Sequence, residues 1–182
     1  GTLVALNELF GKKLDAEALC AVGDKIGADV PICIKGGTLY SITSGDMIAA
    51  ECDTNSVFVC IYPDFTLSTA EAYAKYDENP TEINPHYADF VSSIVCGSLS
   101  EGAGFISNVF TKIYHDSRIE EMKTDLLESG AVISEMTGSG SVVFGVFESE
   151  ETAIDAKNIL SGKYPHVFMT RPVNCGVYVV ER

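Results

Sequence analysis

The run Val57-Phe58-Val59-Cys60-Ile61-Tyr62 constrains this chain most, because it is apolar without interruption, has the length of a strand and is stopped by Pro63. Such a run predicts a strand buried on both faces. Ala131 to Glu135, Val142 to Phe147, Val167 to Thr170 and Gly176 to Val180 read as further strands. Thr38 to Thr43 and Met47 to Cys52 read as β-rich stretches after the break at Gly36-Gly37. Helical spacing predicts a helix over Thr2 to Phe10, closed by Gly11. A second runs from an Asp15 cap through Leu19, Val22 and Ile26 to a left-handed cap at Gly27. Ala28 to Pro31 then turns the chain. Ser68-Thr69-Ala70-Glu71 has the spacing of a capping box for a helix to about Lys75, followed by a loop from Asp77 to Pro85. Helices are expected at His86 to Cys96, Phe105 to His115, Arg118 to Ser129 and Glu150 to Leu160. The sum is an α+β fold in which helices cover one face of a mainly antiparallel sheet. Asp53 to Ser56 is the expected junction between a first domain, residues 1–55, and a second, residues 56–182.

Composition narrows the function. Among 182 residues, 12 are Lys or Arg and 26 are Asp or Glu, a formal charge of −14 with no basic stripe. Binding to nucleic-acid phosphates is therefore not expected. No apolar run approaches the roughly 18 residues of a membrane span, and the first residues lack the pattern of a secretory signal. Cys20, Cys33, Cys52, Cys60, Cys96 and Cys175 are scattered without a CxxC pair, which argues against zinc. Their apolar neighbours predict free thiols acting as small hydrophobes in a reducing, cytoplasmic compartment. His86, His115 and His166 lie far apart, with no acidic or cysteine partner at ligand spacing, so no metal site is expected and all three read as surface residues.

Three segments are candidates for chemistry. In Gly27-Ala28-Asp29-Val30-Pro31, a partly buried Asp29 held by backbone donors would suit taking a proton from a hydroxyl, or orienting it for attack; it would equally serve to cap the turn before Pro31. Glu135-Met136-Thr137-Gly138-Ser139-Gly140-Ser141 joins two expected strands, either as a plain hairpin loop or as a nest of N–H groups for an anion. No lysine follows its glycines, so it is not a Walker loop. Gly138-Ser139-Gly140 is too short for the elbow of a serine hydrolase. Tyr62-Pro63 with Ser68 and Thr69 links a strand to a helix start, where hydroxyls and N–H groups either cap the helix or meet a substrate.

In their order and spacing these strings, with Ala5-Leu6-Asn7-Glu8-Leu9-Phe10 before them and Gly36-Gly37 between, resemble the GHMP kinases over nearly the whole chain. The branch most resembled takes a diphosphocytidyl sugar alcohol in non-mevalonate isoprenoid precursor synthesis. The resemblance implies a first domain like the second domain of ribosomal protein S5 and a ferredoxin-like second domain. It also implies that ATP with Mg²⁺ phosphorylates a small-molecule hydroxyl in the cleft between them. By position, Asp29 matches the catalytic aspartate. Gly138, Ser139, Gly140 and Ser141 match the motif that shapes the cleft near phosphates and substrate, and Ser68 and Thr69 match the segment that touches the substrate. Another GHMP kinase, acting on homoserine, mevalonate or a related alcohol, and a non-catalytic binding domain are the alternatives.

The departure from the family lies where the chain begins. Gly1 opens without Met inside a helical pattern, and the family's N-terminal lysine and Gly/Ser-rich phosphate loop do not occur. The expectations are a truncated first domain, weak or absent ATP binding by this chain alone, and self-association into a homo-oligomer through apolar surface of that domain.

Overall fold

A computed structural model describes residues 1–41, 48–50, 56–78, 80, 86–95 and 99–180. The chain divides into two units, one of Gly1–Cys52 with Pro172–Arg182 and the other of Asp53–Arg171.

In the first unit α1, Thr2–Leu9, ends near Gly11, whose φ is +88°. Helix α2, Ala16–Asp24, begins at Asp15, whose carboxylate accepts a hydrogen bond from the Ala18 amide at 2.8 Å. Its buried face is Leu19, Cys20 and Gly23, whereas Val22 and Ile26 of the expected stripe are exposed. Close approach of the next helix selects that face, since a Cβ on Gly23 would lie 2.7 Å from Val30 Cγ1. Gly27 is not the expected left-handed cap. The amides of Ile26 and Gly27 both return to the Gly23 carbonyl, at 2.8 and 3.1 Å.

The expected turn at Ala28 to Pro31 is instead the start of α3, Asp29–Lys35. Pro31 is tolerated because it lies in the first turn, where backbone N–H groups have no intrahelical acceptor to lose. Gly36, at φ +72°, ends this helix. β1, Thr38–Tyr40, then pairs antiparallel with β2, Ile48–Ala50. The strand expected at Gly176 to Val180 does not form. That segment lies on the carbonyl end of α3, where the Val177 amide donates to the Cys33 carbonyl at 3.1 Å. A Cβ on Gly176 would meet the Ile34 carbonyl oxygen at 2.2 Å, so only glycine allows the approach. The last carbonyls of a helix lack intrahelical donors, and the segment supplies one.

The second unit contains β3 (Val57–Tyr62), α4 (Thr69–Glu78), α5 (Tyr87–Val95), α6 (Leu99–Gly102) and a 3₁₀ turn at Ala103–Phe105. It continues through α7 (Val109–Tyr114), α8 (Ser117–Glu128), β4 (Ile133–Met136), β5 (Val143–Phe147), α9 (Glu150–Leu160) and β6 (His166–Thr170). The sheet order is β4-β5-β3-β6 with every pair antiparallel, the α+β arrangement expected. Val57, Val59 and Ile61 stand in register with Phe147, Gly145 and Val143. They bury against Ile119, Met122 and Leu126 of α8 and Ala153, Ala156 and Leu160 of α9. On the opposite face Cys60 is buried, but Tyr62 is 46% exposed and Phe58 half-buried, so β3 is not covered equally on both sides. Among the described residues the packed helices α8 and α9 serve one face, whereas the other is partly closed by side chains such as Phe58 and Phe144, whose rings are 5.8 Å apart.

The helix expected over Phe105 to His115 is broken. Ile106 is extended, and Asn108, also extended, starts α7 by accepting the Phe110 amide at 2.8 Å. An asparagine side chain competes for backbone donors and favours such a start over a helix interior. Asp77 and Glu78, expected in a loop, complete α4; most of the rest of that loop lies outside the described residues. Cys20 and Cys60 are buried thiols as expected, but Cys33 and Cys175 are exposed, and Cys52 and Cys96 lie outside the described residues. His86 does have an acidic neighbour, Asp89, at 3.1 Å on the same helix turn. Among the described residues no helix is long and apolar enough to cross a membrane, and no group of His, Cys, Asp or Glu is placed to hold a metal ion.

Candidate active site

Within the second unit three stretches distant in sequence are tied together: the approach to α4, the start of α7, and the turn between β4 and β5. The turn closes with the Thr137 amide on the Val142 carbonyl at 2.9 Å and the Gly140 amide on the Thr137 carbonyl at 3.0 Å. Gly138 and Gly140 have φ of +57° and +92°, a region glycine enters without strain. Their surroundings differ. A Cβ on Gly140 would lie 2.7 Å from both Leu67 Cδ1 and Met136 Sδ, whereas one on Gly138 would meet nothing within 4 Å. The turn is thus packed at Gly140 and open at Gly138.

Ser139 Oγ and Thr69 Oγ1 are hydrogen-bonded at 2.8 Å across 70 residues of sequence. Ser141 is buried and donates to the Phe65 carbonyl at 2.6 Å. Ser68 Oγ accepts the Glu71 amide at 3.3 Å, the expected cap, while Glu71 itself pairs with Lys75 at 3.3 Å. The structure therefore brings Thr69 and Ser139 into contact, and holds Ser68 and Ser141 on the same stretches.

Several residues that the sequence reading did not single out hold these stretches in place. Tyr114 donates its hydroxyl to the Ser68 carbonyl at 2.9 Å, and burial first, then the Glu71 charge, raises the pKa of its phenol, which keeps it a donor. Asn108 Nδ2 donates to the carbonyls of Met136 and Gly138 at 2.7 and 2.8 Å. Glu135, 7% exposed, accepts from Thr111 Oγ1 and from the Met136 amide, both at 2.8 Å, and lies 3.3 Å from Lys123 Nζ. A buried carboxylate needs such partners, because its desolvation otherwise costs several kcal/mol, on the order of the Born penalty after relaxation. A signal for Asn108 existed: an asparagine immediately before the apolar spacing Val109, Phe110 and Ile113 marks a helix start. Nothing local marks Glu135.

Asp29 belongs to the first unit. It is exposed at the first position of α3 and accepts no hydrogen bond among the described residues, so the expected partial burial among backbone donors is not found. Asp29 instead lines, with Ile26, Val30, Cys33 and Ile34, a cavity of about 360 Å³. An unpartnered carboxylate beside an apolar wall is free to accept a proton or a hydrogen bond from whatever enters.

Comparisons with known proteins bear on the family and the fold. The family described as GHMP kinases C terminal matches residues 113–166, from within α7 to the start of β6. The 4-diphosphocytidyl-2-C-methyl-D-erythritol kinase of Caldanaerobacter subterraneus subsp. tengcongensis is 31% identical over 181 residues, 98% of this chain and 63% of that protein. This chain thus spans less than two thirds of the length of that relative. Among solved structures, a homoserine kinase from Cytophaga hutchinsonii superposes with a TM-score of 0.78 at 17% identity, over 94% of this chain and 62% of its own. A 4-(cytidine 5'-diphospho)-2C-methyl-D-erythritol kinase superposes with a TM-score of 0.66 at 19% identity, over 92% of this chain and 60% of its own. At such identities the structural likeness speaks for the fold.

Proposed function

We propose that this chain, which matches the family of GHMP kinases C terminal over residues 113–166 and has a GHMP kinase-like fold, serves an ATP-dependent small-molecule kinase acting on 4-diphosphocytidyl-2-C-methyl-D-erythritol. The observation that carries the reading is the contact of Thr69 with Ser139 at 2.8 Å, which joins the proposed substrate-touching segment to the proposed phosphate-side turn. The choice of alcohol follows the name of the relative that is 31% identical across 98% of the chain.

Each residue then has a distinct task. Asp29 takes the proton of the substrate hydroxyl, or holds that hydroxyl in line, as its oxygen bonds to the transferred phosphorus. Ser68 and Thr69 hold the substrate by hydrogen bonds from α4's first turn. Gly138, Ser139, Gly140 and Ser141 present a compact turn, open at Gly138, whose hydroxyl and N–H donors fit a phosphate or a substrate hydroxyl. ATP supplies the phosphoryl group when bound. Mg²⁺ bound with the nucleotide would neutralise charge on its phosphates. A cytoplasmic setting belongs to the same reading, in which Cys20, Cys33, Cys60 and Cys175 need no disulfide partner.

A second reading, transfer to a smaller alcohol such as homoserine, shares the same fold. The two separate in one tube. The complete product of the reading frame encoding this chain is given Mg-ATP with the cytidyl alcohol, homoserine and mevalonate at equal concentration, and products are followed by ³¹P NMR. A new phosphomonoester on the cytidyl alcohol is expected. Transfer to homoserine or mevalonate would establish the second reading, and transfer to none would reduce the protein to a binding domain.

A further inference from the structure

We infer that Asn108 is a positioning residue that sets the conformation of the glycine-serine turn; its effect on catalysis, though not its effect on the turn, rests on the kinase reading above. One carboxamide has two N–H donors and one carbonyl acceptor. In Asn108 all three are engaged: Oδ1 takes the Phe110 amide at 2.8 Å, and Nδ2 donates to Met136 O at 2.7 Å and to Gly138 O at 2.8 Å. The side chain therefore pins the end of β4 and the tip of the turn to the first turn of α7.

Pinning these carbonyls decides where the following amides point. In a planar trans peptide the C=O of one residue and the N–H of the next face opposite ways. The amide after Met136 belongs to Thr137 and is consumed by the Val142 carbonyl at 2.9 Å. The amide after Gly138 belongs to Ser139, has no acceptor among the described residues, and is directed away from Asn108. Asn108 thus aims the Ser139 N–H outward, on the residue whose hydroxyl contacts Thr69. Packing does not do this. Gly138 has no neighbour within 4 Å of a would-be Cβ, so at the tip the hydrogen bond from Asn108 substitutes for side-chain contact. The other ties of α7, Thr111 to Glu135 and Tyr114 to the Ser68 carbonyl, fix the helix against both ligand-facing stretches and make it a firm anchor.

Asn108→Ser separates the two duties of the residue. Serine is as good a helix cap as asparagine, but it is too short and has too few donors to reach both carbonyls. In the full chain, the ¹H–¹⁵N resonances of Ser139 and Gly140 are expected to move while those of Ile113 and Tyr114, farther along α7, stay. In the phosphoryl-transfer assay kcat is expected to fall about 10- to 100-fold with KM for the alcohol changed less than about threefold, the signature of misplacement rather than lost binding. Unmoved Ser139 and Gly140 resonances, or an unchanged kcat in a variant whose parent is active, would overturn the inference. If the parent transfers no phosphoryl group, the kinase reading falls and the resonances alone decide the role of Asn108. Should Asn108→Ser fail to fold, Asn108→Asp keeps the cap oxygen, loses both donors, and gives the same resonance comparison.

Discussion

Asp116 carries two loads at once. Its Oδ1 accepts the Arg118 amide at 2.9 Å to start α8, and both its oxygens hold the Arg118 guanidinium, which lies 3.7 Å over the Phe65 ring. The hydrogen bond from that guanidinium is the main reason its carboxyl is held below the ordinary carboxylate range. For Asp125, burial pushes the carboxyl up, but hydrogen bonds from Lys163 and Tyr164 outweigh it and the result is again a lowered value. A folded carboxyl pKa below its unfolded value gives stability that is complete above the unfolded value of about 4 and is lost as pH falls through the folded one. Urea midpoints are therefore expected to drop as pH falls below about 4, and to drop less steeply in Asp116→Ala and Asp125→Ala. At neutral pH Asp116→Ala is expected to cost about 1 kcal/mol through the lost cap; equal acid sensitivity of variant and parent would refute the assignment. Caps such as Asp15 and Ser68 are legible in sequence because acceptor and donor lie three residues apart. The cap at Asn108 is legible in the same way, but its donation to the turn and the tie of Thr111 to Glu135 are not, because those partners lie 24 to 30 residues apart.

Elements were legible where local and tertiary signals agree. Helix α9 falls on Glu150–Leu160 as its spacing predicts, with Ser149 accepting the Thr152 amide at 3.3 Å and Ala153, Ala156 and Leu160 buried. The segment from Gly176 to Val180 has the composition of a strand, but composition specifies only extended chain, and the partner here is the carbonyl end of α3. Gly176→Ala would place a methyl 2.2 Å from the Ile34 carbonyl. It is expected to release that segment, read as much faster limited proteolysis after Tyr178 with the second unit's core intact; proteolysis at the parental rate would contradict it. Leu126, fully buried beneath the sheet against Gly145, is a position of the other kind. Leu126→Ala is expected to destabilise the second unit by about 2–5 kcal/mol, measured by denaturant titration.

At the scale of the whole molecule, the charge of −14 excludes phosphate binding by bulk attraction. Any phosphate would then be met by local donors, and the proposed ones are the N–H and hydroxyl of Ser139. The first unit also leaves Leu9, Phe10, Ile26, Tyr178 and Val180 between 65% and 74% exposed. The isolated chain is accordingly expected to bind an apolar dye and to sediment faster as its concentration rises, and a dye-silent monomer would contradict that. The role proposed for Asp29 on the substrate hydroxyl is separable from stability, because the residue is exposed and unpartnered among the described residues. The most direct measurement is kcat for Asp29→Asn in transfer from Mg-ATP to the cytidyl alcohol, with circular dichroism as the control for folding. A loss of about 10²- to 10⁴-fold in kcat with an unchanged spectrum and a KM within a few-fold is predicted. An unchanged kcat would contradict the account.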